Sequence, residues 1–206
     1  MLSFKRPDRA LIDAFRDAPT AVISDNLDRL AGLDGLRPFH RKGHLVGPAR
    51  TVRTRPGDNQ FIHKMLDLVE PGDVVVVAGE GDVSRALVGE IMMTIARKRG
   101  VAGFVIDGAI RDSAAFAASD FPCFARGVNH RGPYKDGPGA LDEPVAISGN
   151  VVSPGDIVVG DEDGVVTFSP DIVEELASAV QRQLAREAAI MRSIADGTYT
   201  GAYAKK

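Results

Sequence analysis

Cysteine occurs once, as Cys123, so neither an intrachain disulfide nor a cysteine cage for zinc can form. Followed by Phe124, it reads as a small buried apolar residue and not as a nucleophile. Long apolar runs are also missing, and no stretch approaches the ~18 residues that a membrane span requires. The segment Met1-Leu2-Ser3-Phe4-Lys5-Arg6-Pro7 has no apolar signal core, which predicts a cytoplasmic protein without a membrane partner. Excess positive charge is absent too. The 25 Lys and Arg against 28 Asp and Glu give −3, and the basic residues are scattered. That pattern lacks the phosphate-neutralising footprint of a nucleic-acid partner.

Hydrolase signatures are missing as well. His40, His44, His63 and His130 form no His-Glu-x-x-His, and no Gly-x-Ser-x-Gly elbow is present. His40 and His44 are four residues apart, but Gly43 and Pro38 argue against a helix, so all four histidines read as surface or loop residues. Lys64, Lys98 and Lys135 sit among polar neighbours, which argues against a Schiff-base lysine, since that chemistry needs desolvation.

What is present is ordinary globular material, 44% hydrophobic over 206 residues, enough for a substantial core. Apolar spacing predicts N-terminal helices within about 8–30, interrupted by Pro19, and further helices over 59–68, 86–99 and 113–119. The Val74–Val77 run after Pro71-Gly72 is a buried strand by composition, as is 103–106, and 45–53 and 122–128 are strand-like. Residues 129–143 read as a loop. The short strands 145–148, 157–159 and 165–168, spaced by turn residues, suggest an antiparallel meander. A long helix over about 171–195 closes the pattern, capped near Ser169 with Pro170 at its first position. The order predicts an α/β fold, one compact domain over 1–206 with a central mixed sheet flanked by helices.

Two strand exits attract chemistry. Gly79-Glu80-Gly81-Asp82-Val83-Ser84 resembles a dinucleotide loop, but Ser84 replaces the third glycine and two acids would face the pyrophosphate. Downstream, Gly89-Glu90-Ile91-Met92 offers amides for a small anion if a helix starts there; a helix starting at Ala86 would already have bonded them. In Ile106-Asp107-Gly108-Ala109-Ile110-Arg111-Asp112, Arg111 has a planar fork suited to carboxylates, and Asp112 is a hard oxygen ligand for a divalent cation. A surface ion pair and a helix N-cap are the plainer readings of these two residues.

Taken together, Gly89–Met92, Gly103–Asp112 and Pro122-Cys123-Phe124-Ala125-Arg126-Gly127 resemble the 4-hydroxy-4-methyl-2-oxoglutarate aldolase family, which shares its fold with the RNase E activity regulators. An acidic residue, twenty intervening residues and Arg-Asp are the family's pattern, matched by Glu90 and Arg111-Asp112. The turns at 152–156 and 160–166 also fit, so the resemblance covers roughly residues 20–170. It implies the RraA-like, swivelling-domain-like fold and a pyruvate aldolase or oxaloacetate decarboxylase that uses Mg²⁺ or Mn²⁺. By the same resemblance, the amides of Gly89, Glu90, Ile91 and Met92 would bind the carboxylate of a small 2-oxo acid. Arg111 would contact its keto oxygen, Asp112 would bind the metal, and Glu90 would orient a water. Asp25, at a position where the family usually has glutamate, would complete a neighbour's site in a homo-oligomer, trimer or hexamer; Glu187 is a looser match for that task. The contrasting expectation is a non-catalytic regulator that docks on RNase E or another large protein, for which Glu90, Arg111 and Asp112 would not be needed together.

Overall fold

The structure is a computed structural model that describes residues 6–30 and 32–201. Two short helices, α1 (Arg9–Asp13) and α2 (Thr20–Asp25), precede the short strand β1 (Arg37–Pro38) and the long strand β2 (Leu45–Thr54). Next come α3 (Gln60–Leu66), β3 (Val74–Ala78), β4 (Ala86–Val88), α4 (Glu90–Lys98), β5 (Gly103–Ile110), α5 (Ser113–Ala117) and β6 (Cys123–Val128). The last part holds β7 (Gly139–Leu141), β8 (Val145–Ile147), β9 (Asn150–Val152), β10 (Ile157–Asp161) and β11 (Gly164–Phe168). A 3-10 turn (Pro170–Ile172) then leads into α6 (Val173–Ala195).

The main sheet runs β1-β6-β5-β3-β2-β10-β11, with β4 added to β5 and β7 to β2. Its centre, from β6 to β2, is parallel, whereas β1, β7, β10 and β11 join antiparallel. This is the mixed-sheet α/β architecture expected from the sequence. Side-chain alternation explains the unbroken apolar strands. Val75, Val77, Phe104 and Ile106 pack against Ile62, Met65, Met92, Ala96 and Phe116 on the helical face. Val74, Val76 and Val105 point the other way, toward Ile147, Val152 and Val158. A third cluster ties Phe15, Ile23, Leu176 and Val180 to Val159 and Phe168, which fastens α1, α2 and α6 to the β10–β11 edge. Each fully buried aliphatic side chain contributes about 1.5–3 kcal/mol, so the two-faced burial of β3 anchors the sheet.

Several expectations are corrected. Residues 86–88 form a strand, because this short apolar run pairs with Ala109 and Ile110 of β5; the helix starts only at Glu90. Periodicity alone cannot separate the two for so short a run. The first helix is confined to Arg9–Asp13, and α2 stops at Asp25, shortly before Asp28 and Arg29 turn left-handed at φ 56° and 60°. Strand β5 continues to Ile110 through a register shift after Ile106, beyond the expected end. Val145–Ile147 pairs with Asn150–Val152 and not with β10, through a tight Ser148-Gly149 turn with both φ values positive. The expected loop over 129–143 contains β7. At the C-terminus, Ser169 caps the 3-10 turn by accepting from the Asp171 amide, and α-helix proper starts at Val173.

Candidate active site

The site arises where two parallel strands end side by side. Because β4 lies along β5, the residues that follow them, Gly89-Glu90 and Arg111-Asp112, become neighbours. The Arg111 amide donates to the Val88 carbonyl at 2.9 Å, which continues the ladder by one bond. In a continuing strand, successive side chains would point to opposite faces. Asp112 instead adopts φ 55°, ψ 39°, a left-handed conformation that aspartate tolerates better than most residues. Its Oδ2 accepts from the Glu90 amide at 3.0 Å and lies 3.8 Å from Arg111 Nε. Gly89 makes the convergence possible. A Cβ there would fall 2.5 Å from Asp112 Oδ2 and 2.9 Å from Arg111 Cγ.

Gly89 also caps α4, so the first turn of that helix faces the same place. Its amides divide in a way that the sequence left open. Glu90 donates to Asp112, and Met93 donates to the Gly89 carbonyl. Ile91 and Met92 have no acceptor among the described residues. Free amides at the positive end of a helix dipole suit a small anion. They open on a pocket of about 110 Å³ lined by Gly89, Ile91, Met92 and Arg111 on one side and by Asn59, His63, Pro133 and Lys135 on the other.

The opposite wall was not foreseen. Asn59 is buried; its Nδ2 donates to the Leu87 carbonyl at 3.0 Å, and its Oδ1 is without a partner among the described residues. His63, expected on a surface or loop, lies half-buried on α3. Burial lowers its pKa, and the nearby Lys135 cation lowers it further, against a smaller upward pull from Asp67. Lys135 is exposed. No motif marks these residues, since α3 and the 129–138 loop meet only through the fold.

Glu90 reaches the site through its backbone. Its exposed side chain lines an adjoining groove with Arg41, Thr94 and Arg97. Asp25 is not brought to the pocket within one chain. Helix α2 packs on α6, β10 and β11, and the Asp25 carboxylate is bonded to Arg29 and Gln183. For a divalent cation, no group of three or more His, Cys, Asp or Glu converges among the described residues. Asp112 Oδ1 takes no hydrogen bond among them, however, and Asp112 and Glu90 are neighbours. A single carboxylate completed by water and substrate oxygens is a pattern magnesium uses, so Asp112 fits as its protein donor. The dinucleotide-like loop is self-satisfied. The Gly81 amide donates to the Asp107 side chain and Ser84 to Asp82, and Asp107 also holds Arg126.

Fold and site together define an α/β protein whose pocket, lined by free helix amides and Arg111, lies at the carboxyl ends of parallel strands. Comparison with known proteins gives the family. The model described as RraA-like, Aldolase/RraA, matches residues 20–167, and the chain belongs to that family. It is 39% identical over 186 residues, 90% of this chain and 89% of the relative, to a Halalkalibacterium halodurans protein named "Putative 4-hydroxy-4-methyl-2-oxoglutarate aldolase". The structure of an uncharacterized protein from Pseudomonas syringae pv. tomato str. DC3000 superposes with a TM-score of 0.86 at 28% identity, covering 95% of this chain and 97% of that one. The RNA-processing inhibitor RraA from Thermus thermophilis superposes at 0.69 and 29% identity, covering 74% and 93%.

Proposed function

We propose that this protein is a divalent-metal-dependent lyase that releases pyruvate from 4-hydroxy-2-oxo acids, such as 4-hydroxy-4-methyl-2-oxoglutarate or 4-carboxy-4-hydroxy-2-oxoadipate, or from oxaloacetate. The observation that carries it is the meeting of the Arg111 guanidinium, the Asp112 carboxylate and the free first-turn amides of α4 around Gly89. The name of the Halalkalibacterium relative supports the same reading.

In retro-aldol cleavage the C4 hydroxyl loses its proton and the C3–C4 bond breaks. Its electron pair moves through C3 and C2 onto the keto oxygen, and the resulting pyruvate enolate takes a proton at C3. Decarboxylation of oxaloacetate gives the same enolate with loss of CO₂. The amides of Ile91 and Met92 bind the substrate carboxylate. Arg111 donates to the keto oxygen and stabilises the charge developing there, a contribution of a few kcal/mol for a well-placed donor. Asp112 would hold Mg²⁺ or Mn²⁺, in part through water; when bound, the ion supplies Lewis acidity at the substrate oxygens. Glu90 orients the water that takes the C4 proton. Asp25, with Glu187 beside it, reaches a neighbouring subunit's pocket in a cyclic homo-oligomer, a trimer or a pair of trimers.

The test is pyruvate release from oxaloacetate and from 4-carboxy-4-hydroxy-2-oxoadipate, with Mg²⁺ or Mn²⁺ and then with EDTA. Metal-stimulated release abolished by EDTA is expected, and no release with either metal would overturn the reading. The superposition on the Thermus RraA favours a second reading, a regulator that binds a large RNA-processing enzyme. Co-purification with such an enzyme, in the absence of pyruvate release, would select it.

A further inference from the structure

The pocket wall opposite Arg111 is built from two segments far apart in sequence, the start of α3 and the loop over 129–138. One buried carboxylate joins them. Asp58 is fully buried, and its Oδ1 accepts from the Gln60 amide at 2.9 Å, on the α3 side. Its Oδ2 accepts from the amides of Asp136 at 2.8 Å and Gly137 at 2.9 Å, on the loop side, and from the Arg55 guanidinium at 3.2 Å. The adjoining backbone follows the same path. Asn59 donates to the Tyr134 carbonyl, and Tyr134 donates to that of Gly57. Gln60 Nε2 adds a bond to the Lys135 carbonyl at 3.0 Å. The earlier half of the loop is tied separately, through Arg85 to the Gly132 carbonyl and Asn129 to the carbonyls of Val83 and Ser84. The segment that carries Lys135 therefore depends on Asp58 for two of its amides.

We propose that Asp58 is a positioning residue that holds Lys135 and Pro133 at the pocket opposite Arg111, and so sets affinity for the anionic substrate without touching it. The proposal rests on the lyase reading for its kinetic consequence, while the clamp itself is a property of the fold. A carboxylate is required because both loop contacts are N–H donors. In Asp58→Asn the side-chain amide would have to face either those donors or the Gln60 amide, so at least one of the two segments loses its acceptor. A hydrogen bond to a charged group contributes about 1.5–3 kcal/mol, so losing one corresponds to roughly tenfold or more in the equilibrium it governs.

The experiment compares the full-length wild type, Asp58→Asn, Lys135→Ala and the double variant. In Asp58→Asn, amide exchange at Asp136 and Gly137 should accelerate about tenfold or more, and KM should rise about tenfold while kcat changes less than about twofold. In the Lys135→Ala background the same substitution should change KM by less than about twofold, because its effect passes through Lys135. If the KM effects simply multiply, Asp58 acts independently of Lys135 and the proposal is overturned. Unchanged exchange would overturn it as well. Should Asp58→Asn fail to fold, Asp136→Pro removes one of the loop donors and leaves Asp58 in place. It should raise KM in the same Lys135-dependent way, and an unaltered KM would count against the clamp. A wild type that releases no pyruvate overturns the lyase reading and not the clamp, which the exchange at Asp136 and Gly137 then decides alone.

Discussion

The carboxylates of Asp25 and Glu187 share one donor, Gln183 Nε2, at 3.0 and 2.8 Å, so two acids from opposite ends of the chain stand together. Gln183 Oε1 in turn accepts from Asn26, which locks the amide's orientation. The cluster sits on the α2–α6 face and not at the pocket of its own chain. If it serves a neighbour, Asp25→Ala and Arg111→Ala subunits, each nearly inactive alone, should regain activity when mixed and re-equilibrated, because mixed rings contain intact composite sites. Absence of recovery after demonstrated subunit exchange would remove Asp25 from the chemistry.

Asp112 should control metal stimulation. From sequence, alanine is the obvious replacement, but the left-handed backbone at φ 55° adds a conformational cost of about 1 kcal/mol to that variant. Asparagine tolerates the conformation and can keep the bond to the Glu90 amide, so Asp112→Asn isolates the charge. Its melting temperature should stay near wild type while Mg²⁺-stimulated pyruvate formation disappears. Undiminished stimulation would dismiss Asp112 as a metal ligand.

Arg111→Lys keeps the positive charge and loses the planar fork. A fall in kcat/KM of roughly 10²-fold is expected, the scale on which single oxyanion donors act. Kinetics equal to wild type would leave Arg111 as no more than the partner of Asp112.

Gly89→Ala tests the close approach. The added methyl meets Asp112 Oδ2 and Arg111 Cγ inside contact distance, so both side chains must move away from the first turn of α4. Activity should fall by about 10²-fold or more, as misplacement by about 1 Å does. An active alanine variant would show that the convergence around Gly89 is dispensable.

His63 should titrate below its ordinary 6.5, mainly through burial and secondarily through Lys135. Proton NMR of the imidazole would read the midpoint, and Lys135→Ala should move it upward without fully restoring it. The linked stability has a definite sign. The unfolded chain takes up this proton first, so the contribution is complete above pH 6.5 and declines as the pH falls from there toward the folded-state midpoint. A midpoint at or above 6.5 would contradict the pocket's description.

The parallel centre of the sheet was legible because residues buried on both faces leave an uninterrupted apolar run, as in Val74–Val77. The place of Arg111 and Asp112 at a strand exit was legible from the end of the apolar run, and the family pattern linked them to Glu90, whose amide Asp112 accepts from. Ala86–Val88 was misread since three apolar residues before a helix carry no period of their own. Asn59, His63 and Lys135 were invisible as a group, because what unites them is Asp58 bonding to loop amides, and backbone partners leave no mark on side-chain spacing. Asp25 was singled out by the family resemblance alone, and its hydrogen-bonding to Gln183 beside Glu187 emerges only once α2 lies against α6.

The left-handed turn at residue 112 filters what mutation can do there. The backbone favours glycine, asparagine and aspartate at that point, and of these only aspartate carries charge. Aspartate and asparagine codons differ by a single base. If Asp112 is the metal ligand proposed above, a lineage with this fold could therefore shed it in one step while keeping its shape, its strand ladder and its surface. On the lyase reading, catalyst and inert scaffold would then stand one nucleotide apart, and this turn would be a natural branch point between enzymes and regulators built on the same fold.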